Sequence, residues 1–161
     1  MDRVRFSLAE LALVAAGAAV VLFLVLHRSA APRSSVVRAS WTRTPGVLNP
    51  AVTQATIHST ICVRGWTSTV RPPVSYTNHL KQRQLAQYGL RGALSAFQED
   101  HLVSLELGGS PTDARNLWPE PYPRAAAVDR IENQLNHEVC TGALTLAEAQ
   151  RKESALKHQD G

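Results

Sequence analysis

The stretch Glu99-Asp100-His101-Leu102-Val103-Ser104-Leu105-Glu106-Leu107-Gly108-Gly109-Ser110-Pro111-Thr112-Asp113-Ala114-Arg115-Asn116-Leu117-Trp118-Pro119-Glu120 decides the fold class. Phe97, Glu99, His101, Val103, Leu105 and Leu107 alternate with Asp100, Leu102, Ser104 and Glu106. This period of two predicts a strand from Phe97 to Leu107 whose apolar face includes His101. Gly108-Gly109-Ser110-Pro111 breaks it, and Asn116-Leu117-Trp118 predicts a short return strand ended by Pro119. Pro121 and Pro123 predict an extended connector. From Ala125, apolar Val128, Ile131, Leu135 and Val139 recur at steps of three and four, predicting an amphipathic helix to about Cys140 with Gly142 as its stop. Strand, turn, strand and helix in this order give a small α+β domain.

Upstream, Arg71-Pro72-Pro73-Val74 is extended, because each proline biases the residue before it away from the helical region. Ser75 or Thr77 can cap a helix from Asn78 to Tyr88, with Leu80, Leu85 and Tyr88 on one face and Lys81, Gln82 and Arg83 in solvent. Residues 53–63 are Thr-rich and β-branched and fit either a short helix or an extended segment. Downstream, Thr145 starts a short helix through Leu146, Ala147 and Ala149, and residues 151–161 read as a frayed tail. The domain therefore spans residues 53–150. Residues 32–52 are rich in Ser, Ala, Arg, Thr and Pro without a sustained period and read as a linker. Trp41 is the exception, suited to packing on the domain or to a membrane interface.

Residues 1–31 contain an apolar run uncharged from Leu11 to Leu26, close to the ~20 residues of a bilayer-spanning helix. Arg3 and Arg5 before it and Ser29-Ala30-Ala31 after it fit a signal peptide, whereas Pro32 disfavours cleavage and fits an uncleaved transmembrane anchor. Arg28, Arg33, Arg38 and Arg43 by themselves would keep the following domain cytoplasmic. The two cysteines, Cys62 and Cys140, argue the other way. They are widely separated, lack C-x-x-C spacing, and in an exported chain would pair as a disulfide; in the cytoplasm they would be buried thiols. Export, or anchoring with the domain outside, is the favoured expectation. At 161 residues and a formal charge of +4, the chain holds one modest domain plus extensions and permits a polyanionic partner without requiring one.

Hydrolysis of a phosphodiester needs a base for water and a cation for phosphate charge. Histidine suits the first task, and Asp, Glu or Asn oxygens suit a Mg²⁺-like ion. Asp100-His101, the apolar residues after it, Gly108-Gly109 and Asn116-Leu117 together resemble the ββα-metal core of HNH endonucleases, in the wider His-Me finger group. The resemblance covers residues 99 to about 137, and the surrounding chain is similar to bacterial proteins that carry the same core in exported or membrane-anchored form. It implies a nuclease acting on nucleic acid, DNA foremost, with Mg²⁺ or Mn²⁺ as cofactor. His101 would be the general base, Asp100 a metal ligand, and Asn116 the brace that orients the base. The family's helix ligand falls at position 125, which is Ala here, so Asp129 is expected in its place, with Glu132 and Asn133 behind it. No structural zinc is implied, because the family's zinc-binding cysteine pairs are absent. Arg64, Arg71, Arg115, Arg124 and Arg130 are the candidate phosphate contacts, with Arg115 foremost because it precedes Asn116, and Arg124 and Arg130 next. His58, His79, His137 and His158 read as ordinary surface or half-buried histidines, and Trp66 and Trp118 as core packing. A catalytically silent domain that binds nucleic acid or protein is the alternative, motivated by Ala125.

Overall fold

Two antiparallel strands, β1 (Phe97–His101) and β2 (Leu117–Pro121), carry the centre of the fold, paired from Phe97 opposite Pro121 to His101 opposite Leu117. The computed structural model describes residues 37–159. The apolar segment expected to be a signal peptide or anchor, and the first residues of the expected linker, lie outside them. Among the described residues, no helix is long and apolar enough to cross a membrane. In chain order the helices are α1 (Trp66–Val70), α2 (Val74–Gln87), α3 (Tyr122–Cys140) and α4 (Leu146–Gln159), giving a small α+β domain.

The hairpin departs from its expected bounds for identifiable reasons. β1 stops at His101 because, after one more backbone bond from the Leu102 N–H to the Asn116 carbonyl, the backbone groups bond to side chains. Asn116 Oδ1 accepts from the Val103 N–H at 3.0 Å, and the Ser104 N–H donates to the Glu153 carboxylate at 3.0 Å. Leu105–Leu107 then forms a single 3₁₀ turn in place of more strand. β2 runs through Pro119, which was expected to end it. Only alternate residues of an antiparallel strand donate to the partner, and Pro119 and Pro121 both fall in the set that does not. Gly108 sits at φ 77°, and a Cβ on Gly109 would lie 1.7 Å from the Val103 carbonyl oxygen, so the pair is required for this tight return.

Helices α2 and α3 begin earlier than expected, each directly after a proline. Pro73 precedes α2, and Pro121 precedes α3 with Pro123 in its first turn, where a missing N–H costs no bond. The buried face of α3 runs through Ala125, Val128, Glu132, Leu135 and Val139, leaving Ile131 outside. That steady spacing of three and four puts a carboxylate on the inner face. Lys81 is also buried, contrary to expectation, and its Nζ donates to the Phe97 carbonyl at 2.8 Å.

Two further corrections concern the domain's edges. Residues 151–159 are the second half of α4 and not a frayed tail. Thr145 and Glu148 cap that helix reciprocally, and Glu153 and Lys157 are fully buried on its inner side. The described part of the expected linker is a strap bound to the domain. Ala39 N–H donates to the Lys157 carbonyl, Thr44 is buried against the Tyr88 hydroxyl, and Asn49 N–H reaches the Gly108 carbonyl. Trp41 stacks on His158, their ring centroids 3.6 Å apart, and His158 is itself buried with Nε2 3.0 Å from the Thr44 carbonyl. Cys62 and Cys140 are joined in a disulfide that ties the chain before α1 to the end of α3. Val52, Ile57, Ile61, Val103, Leu107, Leu135, Val139, Leu146 and Ala149 form the main core beside it.

Candidate functional site

His101 ends β1 and is buried, with Nε2 3.1 Å from the Pro111 carbonyl oxygen. A carbonyl can only accept, so this contact assigns the ring proton to Nε2 and leaves Nδ1 as the acceptor. Burial lowers the imidazole's pKa against the opposing pull of the Pro111 carbonyl and Asp100, so the ring is neutral near pH 7. Asn116 is fully buried and holds the loop that carries Pro111. Its Nδ2 donates to the carbonyls of Val103 at 3.0 Å and Ser110 at 2.9 Å, while Oδ1 takes the Val103 N–H. The amide therefore clamps both sides of the Gly-Gly return, next to the residue that orients His101.

Two cavities flank the imidazole, of about 320 and about 60 Å³, and both are lined by Arg71, Gln98, Asp100 and His101. Asn78, Lys81, Glu99 and the half-exposed Tyr122 complete the larger one, and Glu106, Asp129 and Glu132 the smaller. Glu99 is two residues from His101 on the same strand face, its carboxylate oxygens are buried without a donor, and burial pushes it up to about 8.

Behind the smaller cavity lies a buried ionic cluster. Lys157 Nζ is 2.6 Å from Asp100 Oδ2, 2.7 Å from Glu132 Oε1 and 3.4 Å from Glu153 Oε1, and also donates to the His101 carbonyl. Burial pushes Glu120 and Glu132 up to about 9. Burial also raises the Asp100 carboxyl, but the adjacent ammonium, a hydrogen bond from Glu120 and His101 together outweigh it and hold Asp100 below the usual carboxylate range. The Lys157 ammonium is held well above its ordinary value by its acidic neighbours despite burial.

The expected site residues separate into two groups. Asp100, His101, Asp129 and Glu132 come together around the smaller cavity. Asn133 is exposed and donates back to the Asp129 carbonyl, and Ala125 is buried in the core. Arg115 is exposed and forked onto Asp113, Arg124 lies 3.7 Å from Glu120, and Arg130 is exposed; none lines either cavity. Arg71, ahead of α2, is the arginine beside His101. Glu106 and Lys157 were not singled out from sequence. Lys157 carries no signal beyond its four-residue spacing from Glu153, and Glu106 looks like any polar residue of an alternating strand.

A hard divalent cation fits part of this donor set. Glu106 Oε2 is buried without a hydrogen-bond donor; burial and then Asp129 across the smaller cavity raise the Glu106 carboxyl, while burial and then Asp100 raise Asp129. Asp100 does not fit: Gln98 Nε2 occupies Oδ1 at 3.2 Å and Lys157 occupies Oδ2. Among the described residues no three His, Cys, Asp or Glu side chains converge as a ready-made metal cage. Comparison with family models, curated proteins and solved structures found no match to the chain.

Proposed function

We propose that this domain is a metal-dependent endonuclease of the ββα-metal, His-Me finger type, hydrolysing phosphodiester bonds in nucleic acid, with DNA the favoured substrate. The observation that carries the reading is His101 fixed through Nε2 on Pro111, neutral, and facing a cavity lined by carboxylates. Its Nδ1 accepts the proton of the attacking water. Asn116 holds the Pro111 loop so that the ring cannot turn. Arg71, in place of Arg115, donates to the non-bridging phosphate oxygens. A divalent cation, Mg²⁺ or Mn²⁺, would be held by Glu106 and Asp129 and would offset charge on the phosphate and leaving oxygen; Mg²⁺ sites commonly use one or two carboxylates plus substrate phosphates. Purified protein with Mg²⁺ or Mn²⁺ should nick plasmid DNA, and the His101→Ala variant should not. Equal nicking by both overturns the proposal.

The occupied Asp100 carboxylate favours one second reading, a catalytically silent domain that binds nucleic acid or protein. Duplex binding without cleavage, unchanged in Asp129→Asn, would select it. The exported or membrane-anchored location remains our proposal for the full chain, motivated by residues 1–31 and by a disulfide that oxidising compartments favour. A reporter fused to the carboxy terminus tests it; a cytoplasmic signal from the reporter is the contrary result.

A further inference from the structure

The geometry points to Lys157 as a tethered substitute for a metal ion: its ammonium fills an oxygen cage built by Asp100, Glu132 and the His101 carbonyl, and keeps divalent cations out of it. An ammonium has three hydrogen-bond donors. Here those three acceptors are within reach, with Glu153 Oε1 farther away at 3.4 Å and already accepting the Ser104 N–H at 3.0 Å. The cage thus offers oxygen donors only, the set that hard divalent cations prefer. Its 2.6 and 2.7 Å spacings to Asp100 and Glu132 are those of charge-assisted N–H···O bonds, whereas Mg²⁺ demands oxygens at about 2.0–2.1 Å. Lys157 is fully buried, and the smaller cavity reaches Asp100 and Glu132 without reaching the lysine, so the ammonium fills the inner side of the cage.

The cation is delivered by the fold. Glu153 and Lys157 stand one turn apart on α4, and that helix is held against the strap through the Ala39 N–H to Lys157 carbonyl bond. Docking of α4 therefore brings the charge with it. Asp100, the strand residue that the sequence pattern assigns to metal, is committed to a lysine from the far end of the chain. This inference concerns Asp100 and Glu132 alone and holds whether or not the chain cleaves nucleic acid.

Mn²⁺ binding to the full chain, counted by electron paramagnetic resonance, tests it. Lys157→Met should gain one Mn²⁺ site, about tenfold or more tighter than anything the unmodified cage shows. That site should vanish in Lys157→Met combined with Asp100→Asn. A folded Lys157→Met protein that gains no site overturns the inference, as does a site in the unmodified chain that Asp100→Asn removes. Should Lys157→Met fail to fold, the ¹⁵N signal of the Lys157 ammonium in the unmodified chain decides. It should persist through a titration with Mg²⁺, and its loss as Mg²⁺ is added overturns the inference. Failure of plasmid nicking alters none of these readouts, so the two proposals fall separately.

Discussion

His101 and Asn116 act as one unit at the level of single residues. The imidazole takes its orientation from Pro111, and Asn116 holds the backbone on both sides of that loop. Asn116→Ala would leave the buried N–H and C=O of Val103 without partners, at about 1–3 kcal/mol for each group stranded. Chemical denaturation should register that loss, and nicking should fall further than the loss of folded protein explains. Under the proposed nuclease function, replacing His101 by Ala should lower the cleavage rate about 10²- to 10⁴-fold, the usual worth of a positioned general base, as measured by single-turnover cleavage. Because burial lowers the His101 pKa below its ordinary 6.5, the ring is already the free base at neutral pH. The cleavage rate should therefore be flat between about pH 7 and 8 and fall only on the acid side. A rate still climbing through that range would mean that another group is the base.

Among the elements, α4 carries the largest revision. Its first turn announces itself through the Thr145 and Glu148 cap, but the polar run Arg151-Lys152-Glu153-Ser154 looks like the end of a chain fraying into water. In the folded protein Glu153 takes the Ser104 N–H where β1 has ended, and Lys157 neutralises Asp100. Removing one partner of a buried pair commonly costs about 3–5 kcal/mol, because the other charge stays buried. Glu153→Ala and Lys157→Ala should both lower the melting temperature by several degrees, and the double variant by less than the sum of the two. Strict additivity in calorimetry would mean that the two side chains do not share one network. Arg151 and Lys152, exposed on the same helix, should tolerate Ala with little change.

For the whole molecule, two properties follow from how the parts close on each other. The Cys62–Cys140 disulfide spans 78 residues, a loop whose closure is worth on the order of 4 kcal/mol through the unfolded chain. Reduction should shift the denaturant midpoint accordingly while leaving the far-ultraviolet circular dichroism of the folded state unchanged. The second property is pH dependence. Glu120 and Glu132 bind protons up to about 9 in the folded chain but release them near 4.5 when unfolded. Between those values the folded state holds more protons, so their contribution to stability is complete below about 4.5 and is lost as pH rises toward 9. His101 acts oppositely, but only below its unfolded value of 6.5. Melting temperature should therefore decline from about pH 7 to 9, and Glu120→Gln with Glu132→Gln should flatten the decline.

The sequence by itself determined the hairpin and the helix after it. Alternation, a Gly-Gly return and a steady three-four spacing are local patterns that do not depend on what lies across the core. For the same reason it marked His101, Asp100 and Asn116, whose neighbours in the chain supply the turn that joins them. Pro119 and Pro121 misled at the strand end, because whether a missing N–H matters depends on which edge of the ladder it faces. Only the tertiary structure decided what surrounds the histidine. Arg71, Glu106 and Lys157 come from three separate parts of the chain, and a buried ammonium is indistinguishable in sequence from a solvated one until its oxygen partners are brought to it. Folding set the charge on Asp100, because a carboxylate buried near other carboxylates must either take a proton or find a cation, and α4 delivers that cation from the end of the chain.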